Sequence, residues 1–192
     1  MSAPSASRPS ELVLDDFSDP TGASTLGTQW VGFSDRVMGG VSNADVGFDE
    51  VLGRTCIRLQ GLVRLEYGGG FVQMALPFAE TRGQVLDGAA YAGFAMDVCG
   101  AAPAVTDPEK SGYFLHLRTG DTRFGPSHYA APLPVAAEWG RVQVPFSAFR
   151  RRNVRAGLDP SRLTRLGIVA AGAAFQADVA VSRLVLYSAI DA

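Results

Sequence analysis

The sequence predicts an all-β protein: an antiparallel β-sandwich of the jelly-roll kind, with little helix. Three observations predict it. Roughly ten short apolar or β-branched runs follow one another at near-regular spacing, each bounded by turn-forming residues. The 22 glycines and 11 prolines punctuate the chain too often for long helices. No run carries the apolar repeat of a long amphipathic helix, so a doubly wound strand–helix fold is not expected.

At 192 residues, 47% hydrophobic and 19% charged, the chain can bury a full core. The expected organisation is one β-sandwich domain over residues 11–192 behind a disordered tail, residues 1–10.

Residues 11–17 (ELVLDDF) read as the first strand, ended by the turn Ser18-Asp19-Pro20-Thr21-Gly22. Residues 30–42 (WVGFSDRVMGGVS) are polar and glycine-rich behind an aromatic lead. They predict a shaped loop or bulge between two strands, anchored to the core by Trp30, Phe33, Val37 and Met38. Gly39-Gly40 permits positive φ or a close approach, and Asp35 and Ser42 can fix the turn through main-chain hydrogen bonds. Residues 43–50 are expected to pair with 55–59. Residues 62–67 alternate cleanly, with Val63, Leu65 and Tyr67 on one face; Gly68-Gly69-Gly70 breaks the run as a bulge or hairpin turn, and 71–76 resumes it until Pro77.

Residues 89–99 predict a central strand and 101–110 a polar loop. In the strand 113–118, Tyr113, Leu115 and Leu117 oppose Phe114, His116 and Arg118. Residues 127–131 continue that sheet after a turn at Gly120-Asp121. Glu138-Trp139-Gly140 opens a strand over 141–144 that Pro145 stops, and a short helical turn follows at 146–149. Two apolar strands, 163–171 and 178–187, close the chain. Trp139→Ala is expected to cost about 3–5 kcal/mol if Trp139 is core.

Several function classes fall away. A net charge of −2 speaks against a broad nucleic-acid surface. No apolar stretch is long enough to span a bilayer, and residues 1–10 lack the apolar region of a secretory signal, so a cytoplasmic bacterial protein is expected. Cys56 and Cys99 lie in apolar runs and read as buried free thiols. His116 and His128, the only histidines, have no acidic residue at ligand spacing, so no metal site and no cofactor are expected. No Gly-x-Ser-x-Gly elbow is present.

What chemistry remains is binding. Asp35 among apolar neighbours must be hydrogen-bonded if buried; it either pins the Gly39-Gly40 loop or contacts a ligand. If Phe114, His116 and Arg118 face outward, with His128 and Tyr129 on a neighbouring strand, they form a polar-aromatic patch suited to sugars or peptides; otherwise they are an ordinary solvated face. Arg150-Arg151-Arg152, with Arg155, is either a solvated loop or a contact for an anion or an acidic partner. The carboxylates between Asp15 and Glu50 could supply a hydrolase pair, the least favoured reading.

Five blocks in order resemble one family: Trp30; Ser34-Asp35-Arg36-Val37-Met38-Gly39-Gly40-Val41-Ser42; Gly69-Gly70-Phe71-Val72-Gln73; Tyr113 with Leu117-Arg118-Thr119; and Glu138-Trp139 with Val144-Pro145-Phe146 and Phe149. The chain is similar to the complex I intermediate-associated protein 30 family over about residues 12–187. The resemblance implies a galactose-binding-like β-sandwich and a non-catalytic, assembly-factor or chaperone-like role. Eukaryotic members assist assembly of respiratory NADH:ubiquinone oxidoreductase, so the implied partner is a protein such as a respiratory-complex subunit. A carbohydrate-binding module, with a glycan as partner, is the alternative. Candidate contact residues are Ser34, Asp35, Arg36, Met38, Gly39, Gly40, Ser42 and Gln73 from the matching blocks, with Phe114, His116, Arg118, His128 and Tyr129 from the sheet.

Overall fold

The computed structural model of the chain describes residues 10–66, 70–81, 83–103, 105, 107–122 and 125–188. Residues 1–9 of the tail expected over 1–10, and the readings made on Tyr67, Gly68 and Gly69, lie outside those residues.

Two six-stranded antiparallel sheets face each other, as the alternating runs predict. The first contains, in spatial order, β3 (Asn43–Val51), β4 (Arg54–Val63), β12 (Phe175–Tyr187), β6 (Gly93–Gly100) and β9 (Gly140–Pro145). Its sixth strand, β1 (Glu11–Asp15), pairs with the last part of β12, beyond the stretch that β4 covers. The second sheet runs β10 (Arg150–Arg152), β8 (His128–Pro132), β7 (Gly112–Thr119), β11 (Leu163–Ala171), β5 (Phe71–Pro77) and β2 (Val31–Ser34). The 3₁₀ turns lie at Asp35–Met38, Phe146–Ala148 and Pro160–Arg162, and Glu66 is also in 3₁₀ conformation.

Period-2 alternation sends one set of side chains from each sheet into the layer between them. Ile57, Leu59, Phe94, Met96, Val179 and Val181 meet Val72, Met74, Leu115, Leu117, Leu166 and Ile168 there. Fully burying each large apolar side chain contributes about 1.5–3 kcal/mol. β12 keeps its apolar residues inside by a device that alternation alone would miss. Its register with β6 shifts between Val181 and Arg183, so Val181 and Leu184, three positions apart, both join the core. Tyr113 ties the sheets together: its hydroxyl on β7 donates to the Asp178 carbonyl and accepts the Asp178 N–H on β12.

Four local expectations need correction. Of the run expected over residues 62–67, the described part, 62–66, is not a separate strand: β4 ends at Val63, and Leu65 is 49% exposed. The Ser42 hydroxyl takes the Arg64 N–H at 3.0 Å, where a ladder partner would otherwise sit. Arg150–Arg152 is not a free loop but an edge strand paired with β8, its side chains exposed. Trp139 is half-buried on the outer side of the first sheet, against Cys56, Cys99 and Val51, rather than between the sheets. Its indole N–H donates to the Val51 carbonyl and the Arg54 guanidinium lies over its ring. Val37 and Met38 are 72% and 69% exposed and anchor nothing; Phe33 lies on the outer side of the second sheet. Of the four expected anchors, Trp30 does hold the loop to the core, stacking on Phe17 and donating its indole N–H to buried Asp15. Cys56 and Cys99 are free and buried, and burial pushes the Cys56 thiol up to about 11.

Candidate functional site

The glycine-rich segment is built around Asp35. β2 runs to Ser34, whose side chain accepts the Arg36 N–H, and the chain then turns through Asp35–Met38. Gly39 ends the turn at φ +87°, a conformation that side-chain-bearing residues resist. Asp35 is fully buried. Its carboxylate accepts the Ser42 N–H at 2.9 Å, the Ser42 hydroxyl at 2.7 Å and the Gly70 N–H. Burial pushes this carboxyl up, but the bonds from Ser42 and Gly70 outweigh it and hold the group below the usual carboxylate range. Asp35 therefore knots the end of β2 to the approaches of β3 and β5. Its charge is spent inside the protein. Ser34 and Ser42 are buried with it, whereas Arg36, Met38 and Gly39 reach the surface.

The second candidate region is the outer face of the second sheet. Strand pairing lays its side chains in rows. One row crosses Pro132, Phe114, Val169, Gln73 and Phe33. The next crosses Arg150, Ala130, His116, Gly167, Ala75 and Val31. A third brings Arg118 opposite Arg165, and Arg152 opposite His128. The middle of the face is floored by small residues. A side chain at Gly167 would meet the Gln73 amide nitrogen at 2.1 Å, so Gln73 lies across that glycine.

The rings and cations on this face are mutually arranged. His116 and His128 stack with centroids 3.9 Å apart, and Phe114 tilts against His116. The Arg165 guanidinium lies 5.6 Å from the centre of the Phe33 ring, and Phe71 meets that ring edge-on. Arg118 donates to the Gly125 carbonyl. Burial pushes His116 down to about 3; the nearby His128, Arg118 and Arg152 add to the effect. Burial likewise lowers Arg118, helped by Arg165, and lowers Arg165 itself. Among the described residues, neither Arg118 nor Arg165 forms an ion pair. At the β8–β10 margin a cavity of about 200 Å³ is lined by Glu109, Phe114, Ala130, Arg150 and Arg152, among others.

The sheet thus brings Gln73, Phe114, His116, Arg118 and His128 together. Tyr129 is not with them: it is fully buried, and its hydroxyl reaches the Gly157 carbonyl at 3.0 Å. One step along β8 turns a side chain to the other side of the sheet. Arg165, Phe33 and Phe71 belong to the face and escaped the sequence reading. Arg165 did leave a signal, as a cation inside the apolar run LTRLGIVAA. Among the described residues, no group of three or more His, Cys, Asp or Glu side chains is placed to hold a metal ion.

Residues 16–180 match the family described as Complex I intermediate-associated protein 30. Comparison with curated protein sequences gave no match. Among solved structures, the family 11 carbohydrate-binding module of a cellulosomal cellulase from Clostridium thermocellum is similar at 16% identity and a TM-score of 0.68, covering 95% of this chain and 96% of that one. A family 11 carbohydrate-binding module from Clostridium thermocellum in complex with a β-1,3-1,4-mixed-linked tetrasaccharide gives 14% identity and a TM-score of 0.66, covering 95% and 98%. A family 30 carbohydrate-binding module gives 16% and 0.54, covering 80% and 84%. At these identities the likeness is one of fold.

Proposed function

The chain belongs to the complex I intermediate-associated protein 30 family, and from that premise we propose that it is a non-catalytic binding module with an assembly-factor-like role towards a protein partner. The observation that carries this reading is the outer face of the second sheet. It is an open surface of half-buried cations and rings, with Arg118 opposite Arg165 and His116 stacked on His128. None of the outward positions on β2, β5, β7, β8, β10 or β11 is a carboxylate, so the charge the face presents is cationic. The family and the fold neighbours, themselves binding modules, support the non-catalytic reading.

The test is affinity capture of the cross-linked chain from its own cells. Subunits or partly built stages of a respiratory complex are the expected catch, and their absence counts against the assembly role. A second reading, glycan binding, is favoured by one observation: a protein of the same fold is known with a bound tetrasaccharide. A glycan array probed with the wild type and with Arg118→Ala tests it. Hits that vanish in the variant would favour the glycan; no hits, or hits untouched by the substitution, remove it.

A further inference from the structure

Resting on the protein-binding reading, we infer that the outer face of the second sheet is a docking site for an acidic, extended segment of a protein partner, whose carboxylates are taken by Arg118, Arg165 and Arg152. Three features carry the inference. Arg118 and Arg165 sit opposite each other in register, both half-buried, and among the described residues neither is ion-paired. Each guanidinium is partly desolvated without a counter-charge, Arg118 directed to the Gly125 carbonyl and Arg165 to the Phe33 ring, and a carboxylate arriving at each relieves that cost. Such charge complementarity sets both the encounter rate and the choice of partner.

The cationic row also has length. From Arg165 on β11 through Arg118 on β7 and past β8 to Arg152 on β10 it crosses three strand spacings, about 14 Å. Same-side residues of an extended segment repeat at about 6.8 Å, so three acidic side chains of one segment span the row. Glu109, beside Arg150 and Arg152 at the margin, is the acidic group among the described residues that lines this edge.

The rings argue for a peptide over a sugar. Arg165 covers the Phe33 ring, Phe71 meets it edge-on, and Phe114 is only 8% exposed, so the flat platform on which a sugar would stack is largely taken up. Arg150 and Arg152, the exposed cluster already conspicuous in the sequence, extend the same field to the sheet edge.

The experiment titrates the full chain with an oligoglutamate peptide, an oligolysine peptide, an oligogalacturonate and the neutral mixed-linked β-glucan tetrasaccharide. Oligoglutamate should bind, weaken as salt rises, and lose about tenfold or more in affinity in Arg118→Gln and Arg165→Gln. Arg165→Lys should recover part of the loss, and Arg183→Gln on the other sheet should lose nothing. Circular dichroism melts confirm that each variant is folded. Binding of oligoglutamate unaffected by the two glutamine variants, binding of oligogalacturonate in its place, or no binding at all overturns the inference. A protein partner captured from cells equally well by wild type and the Arg118/Arg165 double variant would overturn it while leaving the assembly reading intact.

Discussion

Asp35 occupies the space that a side chain at Gly40 would need: a Cβ there would lie 2.3 Å from the Asp35 carboxyl carbon. Gly39, one residue earlier, has open space around it and differs only in its φ of +87°. The two glycines therefore answer to different physics.

Gly40→Ala should destabilise the protein by about 1–3 kcal/mol, because the carboxylate it displaces is held by three hydrogen bonds and cannot yield freely. Gly39→Ala should cost only about 1 kcal/mol, the strain of a left-handed residue. Urea unfolding of both variants checks the order; a larger loss at Gly39 would refute the account of the knot.

Asp35→Asn keeps the shape but turns an amide donor towards donors from Ser42 or Gly70. A loss of about 2–3 kcal/mol at pH 7 is expected. Because the folded-state pKa lies below that of the unfolded chain, near 3.9, the wild-type advantage is complete above that pH. It fades as pH falls through the folded value, so the two unfolding free energies should converge in strong acid. A gap that stays constant there would show that the charge is not what stabilises the loop.

Much of this fold is legible in the chain because alternation is a local signal. The runs at 71–76, 113–118 and 163–171 all become strands of the second sheet, with Leu115 and Leu117 inside and His116 and Arg118 outside. What is not legible depends on contacts made elsewhere in the chain. Arg64 leaves the ladder because Ser42, 22 residues away, takes its N–H. Phe33 reads as core by its chemistry but pairs with Gln73 on the outer face. The cationic face itself exists only once β7, β10 and β11 lie across one surface, which no local pattern announces.

Trp139 shields the thiols on the outer side of the first sheet. Trp139→Ala should cost less than the loss of a core tryptophan, roughly 1–2 kcal/mol, since the residue is only partly buried. Iodoacetamide should modify Cys56 and Cys99 slowly in the native wild type, where burial holds both thiols protonated, and faster in the variant. Equal alkylation rates would show that the indole is no lid.

Tyr113→Phe removes the hydroxyl that both donates to and accepts from the Asp178 backbone across the sandwich. The Asp178 N–H then loses its acceptor at a part-buried site, a loss of about 1 kcal/mol. Tyr129→Phe, which leaves only carbonyl oxygens short of one donor, should cost less. Thermal melts of the two variants compare them, and the reverse order would refute the sheet-to-sheet role of Tyr113.

The stacked pair His116 and His128 should make the protein acid-sensitive above the range in which carboxylates titrate. Burial disfavours the imidazolium at both positions, and Arg118 and Arg152 disfavour it further; the Pro126 carbonyl beside His128 opposes this in part. Each histidine therefore has a folded-state pKa below its unfolded value of about 6.5. Their contribution is fully present above about pH 6.5 and is lost as pH falls towards the folded values, with that of His116 near 3. In this window the unfolded chain binds the extra proton, and each such proton costs about 1.4 kcal/mol per pH unit. His116→Gln removes one of them, so its stability should fall less steeply than that of the wild type between pH 6 and pH 4, roughly the range in which the histidine rather than the carboxylates dominates. Parallel pH profiles for wild type and variant would mean that His116 is solvated, and with it that the face is not the half-buried surface on which an acidic partner could be held.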